Sequence, residues 1–281
     1  GELFNHAKLW KDLSDALGDF FEDLREHDKE KFETFIFSYG ENKKSKLVED
    51  TMNYVSSFKD ISKMPDLEIV KLSRDLQIDI AIDLKGYTYN SRSKLFAYVL
   101  APIQINYLGY PGTLGTTFID YLVADKTLIP TEQRSNYSEK IIFLPNSYQP
   151  NDCKRSISKK NTTRDDFNLP KDSFIFCCFN TTYKITPVEL DIWSRVLKKV
   201  ENSILWLIDS NEITKKNLLS NFRKKNIDPK RIIFAKNIPH DEHLERIKHV
   251  DLFLDTFNCN AHTTCSDTLW SGTPIVTKIG D

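Results

Sequence analysis

The sequence predicts an α/β fold: two Rossmann-like, doubly wound domains facing a cleft. Three observations predict it. Short apolar runs alternate with helix-period segments along the chain, as in parallel strands covered on both faces. The alternation breaks once, at a polar stretch over 151–166 that carries Lys154-Arg155 and Lys159-Lys160. That stretch reads as a linker with a solvated charge run. A length of 281 residues suits one large or two ordinary domains, and 40% apolar residues can build a full core. The expected division is a first lobe over 1–150, a linker over 151–165 and a second lobe over 166–281.

The elements follow in order. Strand-like runs fall at 35–39, 78–84, 103–108, 141–144, 174–179, 204–208, 232–235, 252–255 and 275–277. Each is short and dominated by Ile, Leu, Val or Phe. Helix-period segments fall at 47–57, 66–77, 188–200, 214–225 and 241–249. Pro65 and Pro187 are expected in first helical turns, where a missing N–H costs nothing. The chain opens in what reads as a loop and stops at Gly280-Asp281, just after a buried-type strand. A piece of a longer protein, truncated at both ends, is therefore expected.

Composition narrows the function. A formal charge of −1 leaves no net basic footprint for nucleic acid. No apolar run has the length of a membrane span, and no signal peptide opens the chain. The five cysteines are an odd number without metal spacing, so buried, reduced thiols in a cytoplasmic protein are expected. No Gly-x-Gly-x-x-Gly follows a strand and no P-loop occurs, which disfavours dehydrogenases and P-loop NTPases. No Asp-x-Asp pair is placed as a metal clamp, and Asp79 and Asp83 read as structural anchors.

Chemistry concentrates after the strands. Residues 258–274 run from a short polar loop into a helix, then exit through Gly272-Thr273-Pro274. His262, Thr263 and Thr264 fall at the helix start, where open N–H groups and the positive dipole end suit a diphosphate. Asp267, one turn in, is placed to accept from ribose hydroxyls. Thr264-x-x-Asp267 reads equally as a helix capping box. Lys184, in Asn180-Thr181-Thr182-Tyr183-Lys184, follows a strand at the edge where open α/β sheets bind ligands, and a lysine there can reach a phosphate. A solvated loop lysine is the plain alternative. His240 and His243 share one helical face, which suggests zinc or simply exposed histidines. Tyr107-Leu108-Gly109-Tyr110-Pro111-Gly112 is a tight turn that lets a ligand approach backbone, or only a turn. Together these sites suggest a nucleotide diphosphate held by the second lobe, with its donor group offered to the first.

Taken in order, several segments resemble the protein O-GlcNAc transferase family, which includes the SPINDLY-type O-fucosyltransferases. They are Ala101-Pro-Ile-Gln104, Leu108-Gly-Tyr-Pro-Gly-Thr113, Asp120-Tyr121, Tyr137-Ser-Glu-Lys140, Phe179-Asn180, Tyr183-Lys-Ile185, Asn202-Ser-x-Leu-Trp-Leu207, Arg231-Ile-Ile-Phe234 and His262-Thr-Thr-x-x-Asp267. The resemblance implies a GT-B-type fold of two Rossmann-like domains. It also implies an inverting, metal-independent transfer of N-acetylglucosamine from UDP-GlcNAc to Ser or Thr hydroxyls of proteins. No cofactor beyond the nucleotide sugar is implied. By resemblance, Lys184 neutralises the departing diphosphate. His262, Thr263 and Thr264 contact phosphate, Asp267 contacts ribose, and His243 lies at the nucleotide with Arg246 near the base. Leu108, Gly109 and Pro111 contact the sugar, and His6 lies at the active-site mouth as a catalytic candidate. Two nucleotide-site positions depart from the family pattern: His240 replaces a ribose-contacting lysine, and Thr181 replaces the glutamine of animal enzymes. The donor alternatives are therefore UDP-GlcNAc and GDP-fucose, and a non-catalytic nucleotide-binding module is a third reading. The short linker in place of a large insert resembles bacterial members. Substrate-binding tetratricopeptide repeats would lie upstream of Gly1.

Overall fold

The computed structural model describes residues 7–9, 28–39 and 46–280. Contacts divide the chain into two compact units, Gly1–Cys153 and Lys154–Asp281. No helix among the described residues is long and apolar enough to cross a membrane.

The first unit holds a parallel sheet of seven strands: β1 (Ala7–Leu9), β2 (Phe35–Ser38), β3 (Ser57–Asp60), β4 (Ile80–Asp83), β5 (Ile103–Asn106), β6 (Tyr121–Ala124) and β7 (Lys140–Phe143). Their order is β3-β2-β1-β4-β5-β6-β7. The chain winds outward from β1 in one direction and from β4 in the other, the doubly wound pattern. All four residues of β2 are buried, so both faces of the strand are covered. Helix α1 spans Lys46–Met52 and α2 spans Asp66–Asp75. Asp66 and Glu68 in the first turn of α2 and Arg74 in the last suit its dipole, while Ile69, Val70 and Ser73 form the buried stripe. Pro65 is the residue capping this helix rather than a member of its first turn.

Three strands were not expected. β1 is only three residues long, too short for a periodic signal. β3 reads Ser-Phe-Lys-Asp with its last two residues exposed, an edge strand with charged positions. The helix expected over 47–57 stops at Met52, because the chain turns through Asn53 and Tyr54 into β3. β6 is a four-residue strand that alternates half-buried and buried positions.

The second unit holds β8 (Phe174–Cys178), β9 (Ser203–Ile208), β10 (Ile232–Ala235), β11 (Leu252–Leu254) and β12 (Ile275–Val276), ordered β10-β9-β8-β11-β12 and parallel throughout. Helices α3 (Pro187–Lys199), α4 (Glu212–Lys224), α5 (His240–Ile247) and α6 (Thr263–Trp270) follow the successive strands. Thr186 and Glu189 form a capping box at α3, and Pro187 occupies its first turn as expected. Trp193, Trp206, Phe222 and Phe253 fill the centre of this core. All five cysteines are free; Cys177 and Cys178 are buried in β8, but Cys153 and Cys259 are exposed, contrary to expectation. Burial raises the Cys177 thiol and pushes Cys178 up to about 12, so both stay protonated.

The segment expected as a solvated linker docks instead. Ser158 N–H donates to the Asp241 carbonyl, and Lys160 pairs with Glu242 at 2.6 Å. Thr162 bonds Glu245 and, at 2.8 Å, His249 Nε2. Arg164 reaches Asp251 at 3.0 Å and the carbonyls of Lys171, Ser173 and His249. Residues 155–164 are thus a strap across the α5 side of the second unit. The carboxylates that receive it, Glu242, Glu245 and Asp251, lie more than eighty residues farther along the chain, which is why the charge run alone reads as solvated.

Candidate functional site

In the second sheet the winding reverses between β8 and β11, which pair directly. Loops leaving the C-terminal ends of two such strands diverge and open a crevice where ligands bind. Asp255, the residue after β11, is buried and organises this point. Its Oδ1 accepts from Asn180 Nδ2 at 2.9 Å, Thr256 N at 2.8 Å and Ala261 N at 2.8 Å. Its Oδ2 accepts from the Thr277 hydroxyl at 2.6 Å. Asn180, just past β8, also donates to the Thr256 hydroxyl at 2.8 Å. One carboxylate therefore ties the β8 exit, the β11 exit and β12 into a fixed frame. Glu189 of α3 adds a further tie by accepting from Phe257 N at 2.9 Å. Burial pushes Glu189 upward, but hydrogen bonds from Thr186 and Phe257 outweigh it and leave the carboxyl below its ordinary range.

From this frame the loop runs into α6, whose first residue is Thr263 and whose capping position is His262. The helix start expected from sequence is therefore present, with Thr264 inside the first turn. The capping-box alternative is not: α6 starts before Thr264, and Asp267 bonds elsewhere. Lys184 ends a short 3-10 turn, Thr182–Lys184, and its Nζ donates to the Asn260 carbonyl at 3.3 Å. That carbonyl lies two residues before the α6 cap, so an ammonium and the positive end of a helix dipole share one neighbourhood. Thr181 and Tyr183 on the same loop are exposed.

Helix α5 contributes the second group. His243 Nδ1 accepts from Arg246 Nε at 2.9 Å and Nη2 at 2.6 Å. Arg246 is 2% exposed, stacks over Phe179 and Trp206, and donates to the Lys236 carbonyl. Burial lowers the guanidinium to about 10, which leaves it charged at neutral pH. Burial, reinforced by the Arg246 charge, lowers His243 to about 3. His243 is therefore neutral, and because Nδ1 accepts from Arg246, its proton sits on Nε2 as a donor. With that lone pair committed to Arg246, the His-x-x-His spacing does not form a metal-ligand pair through Nδ1. His240 instead meets Asp267 Oδ2 at 3.1 Å, while Arg155 Nη1 meets Asp267 Oδ1 at 2.6 Å.

The site thus brings together Lys184, His262, Thr263, Thr264, His240, His243, Arg246 and Asp267 around the C-terminal ends of β8, β10 and β11. Asn180, Asp255, Glu189 and Arg155 were not singled out as site residues. The first two lie within two residues of a strand end, and that position is the signal that could have flagged them.

In the first unit, β5 leads into the expected tight turn. Leu108 has φ +71°, and Gly109 N donates to the Tyr107 carbonyl at 3.0 Å, so residues 107–109 form a strained γ-turn. Gly109 N also reaches the Leu84 carbonyl at 3.1 Å. A Cβ at Gly109 would stand 2.4 Å from that oxygen, so only glycine fits the approach. Asn106 holds the far side, donating to the carbonyls of Tyr110 and Gly112. The Leu108 side chain packs with Ile36 and Leu84, so a sugar contact at Leu108 would be made by its backbone. Pro111 is half-buried in the same turn. His6 lies outside the described residues.

The family described as Glycosyl transferase family 41 matches residues 22–160 and 155–281. The chain is 37% identical over 256 residues to an Arabidopsis thaliana protein named "Probable UDP-N-acetylglucosamine--peptide N-acetylglucosaminyltransferase SEC", covering 89% of this chain and 26% of the relative. It is 25% identical to the Caenorhabditis elegans UDP-N-acetylglucosamine--peptide N-acetylglucosaminyltransferase, covering 89% of this chain and 32% of that protein. The chain thus spans about a quarter to a third of these relatives. Among solved structures, a mutant of Thermobaculum terrenum O-GlcNAc transferase superposes with TM-score 0.88 at 24% identity, covering 99% of this chain and 53% of that one. Anabaena HepE in complex with UDP-glucose superposes with TM-score 0.59 at 10% identity, covering 98% and 80%. These structural likenesses show the fold, which is of GT-B type.

Proposed function

The chain belongs to glycosyl transferase family 41, and from that premise we propose that it carries the catalytic region of an inverting, metal-independent protein O-glycosyltransferase. The donor is UDP-GlcNAc and the acceptors are Ser or Thr hydroxyls of proteins. The observation that carries this reading is the meeting of Lys184 with the start of α6 beside the Asp255 frame. The names of the relatives support the donor.

In the proposed reaction an acceptor hydroxyl attacks the anomeric carbon of the sugar. The bond from that carbon to the diphosphate oxygen breaks with inversion, the hydroxyl proton leaves, and UDP departs with the bonding electron pair. Negative charge grows on the diphosphate. Lys184 and the N–H groups of the first turn of α6 lie where that charge would be stabilised, which supplies the role a metal ion plays elsewhere. Thr263 and Thr264 add hydroxyl donors. Neutral His243 offers its Nε2–H without adding charge, and Arg246 holds its ring. Asp267 accepts from ribose. On this reading the protein acts in the cytoplasm, consistent with five free thiols. Acceptor-binding tetratricopeptide repeats lie outside these residues.

The test is calorimetric titration of the full chain with UDP and with GDP in the presence of EDTA, followed by mass spectrometry of acceptor peptides incubated with each nucleotide sugar. Metal-free UDP binding with addition of N-acetylhexosamine supports the proposal. A preference for GDP with addition of deoxyhexose moves the donor to GDP-fucose. Binding of neither nucleotide leaves no case for an enzyme.

A further inference from the structure

The strap and the ribose-site carboxylate meet in a way the sequence did not suggest. Arg155 lies 112 residues before Asp267, in the charge run expected to be solvated. Its side chain is nevertheless only 7% exposed, as is that of Asp267, and their ion pair closes at 2.6 Å. The guanidinium stacks over the Trp270 ring, 5.2 Å from its centroid. Trp270 lies three residues after Asp267, so one helical turn supplies both the partner for the charge and a platform for the planar cation. The strap is anchored further along by Ser158, Lys160, Thr162 and Arg164, so Arg155 is delivered rather than free to wander.

A buried carboxylate held by one partner only would retain freedom to rotate. Here Oδ1 is held by Arg155 and Oδ2 by His240. Each carboxylate oxygen has two acceptor directions, so both retain capacity for a further donor. The arrangement is an oriented acceptor in a low-dielectric setting, where loss of a hydrogen bond is felt strongly.

We propose that Arg155 is a positioning residue for ribose recognition: through its ion pair with Asp267 it orients that carboxylate toward the ribose hydroxyls, and so makes the site select ribonucleotide over deoxyribonucleotide donors. This rests on the assignment of Asp267 to the ribose of a bound nucleotide sugar. A competing role for the same ion pair, a latch that covers Asp267 and opposes the nucleotide, gives the opposite sign on mutation.

The experiment is calorimetric titration of the full chain and of its Arg155→Met and Arg155→Lys variants with UDP, 2′-deoxy-UDP and 3′-deoxy-UDP. Methionine keeps an apolar stem against Trp270 and removes the fork; lysine restores the charge without the planar fork. The wild type is expected to bind UDP about tenfold or more tightly than at least one deoxy analogue, the size expected for a hydrogen bond to a charged, buried acceptor. In Arg155→Met that ratio is expected to fall below about threefold, with deoxy-UDP affinity itself little changed, and Arg155→Lys to lie between. A merely structural arginine would weaken all three nucleotides together and keep the ratio, and that result overturns the proposal. Tighter UDP binding by Arg155→Met also overturns it, in favour of the latch, as does a wild type that does not distinguish UDP from either analogue. If Arg155→Met fails to fold, the ratio in Arg155→Lys decides the matter. A wild type that binds neither UDP nor GDP removes the donor reading itself, and the role of Arg155 with it.

Discussion

Replacing Lys184 with alanine separates chemistry from folding. Among the described residues the ammonium makes one hydrogen bond, 3.3 Å to the Asn260 carbonyl, from a half-buried position on a short turn. A bond of that length to a backbone oxygen contributes at most about 1 kcal/mol. The expected cost to stability is therefore small, a shift of a few degrees in melting temperature at most. The expected cost to catalysis is much larger. If Lys184 faces the charge that grows on the diphosphate, its loss removes about 3–4 kcal/mol of transition-state stabilisation, or roughly 10²–10³ in kcat. The assay is transfer from UDP-GlcNAc to an acceptor peptide at saturating donor, read beside a thermal melt of the same preparation. A variant that melts near the wild type and transfers within about threefold of its rate refutes the reasoning, because a leaving-group cation cannot be dispensable. A variant that does not fold refutes the structural half instead, since a turn lysine with one weak bond would then be holding the loop.

Other outcomes follow from the same contacts. Asp255→Ala leaves Asn180, two backbone N–H groups and the Thr277 hydroxyl without their shared acceptor; a loss of about 3 kcal/mol or more is expected in urea denaturation, with nucleotide binding abolished. Gly109→Ala places a Cβ 2.4 Å from the Leu84 carbonyl, a clash with backbone expected to cost about 2 kcal/mol or more by the same measurement. His243, held to about 3 in the folded protein against an ordinary 6.5 in the unfolded chain, contributes stability that is full above pH 6.5 and drains as pH falls toward 3, because the unfolded chain takes up the proton first. Between about pH 7.5 and pH 5 that loss is about 2 kcal/mol, and it should be missing from His243→Gln when the two proteins are denatured in parallel at each pH.

Much of this was legible in the sequence, and the rest fails for identifiable reasons. Strands buried on both faces, such as β8 and β9, announce themselves because every position is apolar or nearly so. The strands that escaped are short or at an edge. β1 carries only three residues, and β3 exposes Lys59 and Asp60. The site divides along the same line. The start of α6 was readable because open N–H groups at a helix end belong to consecutive residues. The position of Lys184 past the end of β8 was readable because the strand itself was. What was not readable is what holds these groups in place. Asp255 finds Asn180 across 75 residues, and Arg155 finds Asp267 across 112. Such pairings depend on sheet order, and no local pattern carries sheet order.

The strap shows how far that matters. Read locally, Lys154-Arg155 and Lys159-Lys160 are a charge run, and charge runs are ordinarily solvated. Lys160 is largely so, with its ammonium paired to Glu242 at the surface, where such a pair contributes little. Arg155, five residues earlier, is buried against Trp270 and Asp267. The difference is not in the two cations but in what α6 offers one of them. A carboxylate and an aromatic ring three residues apart on one helix face match a planar guanidinium, and a surface glutamate on α5 matches any ammonium. If Arg155 only fastened the strap, the bonds of Thr162 and Arg164 farther along would already do that work, and a buried ion pair would be a poor way to add to it. Its placement is explained if the carboxylate, rather than the strap, is what needed to be held.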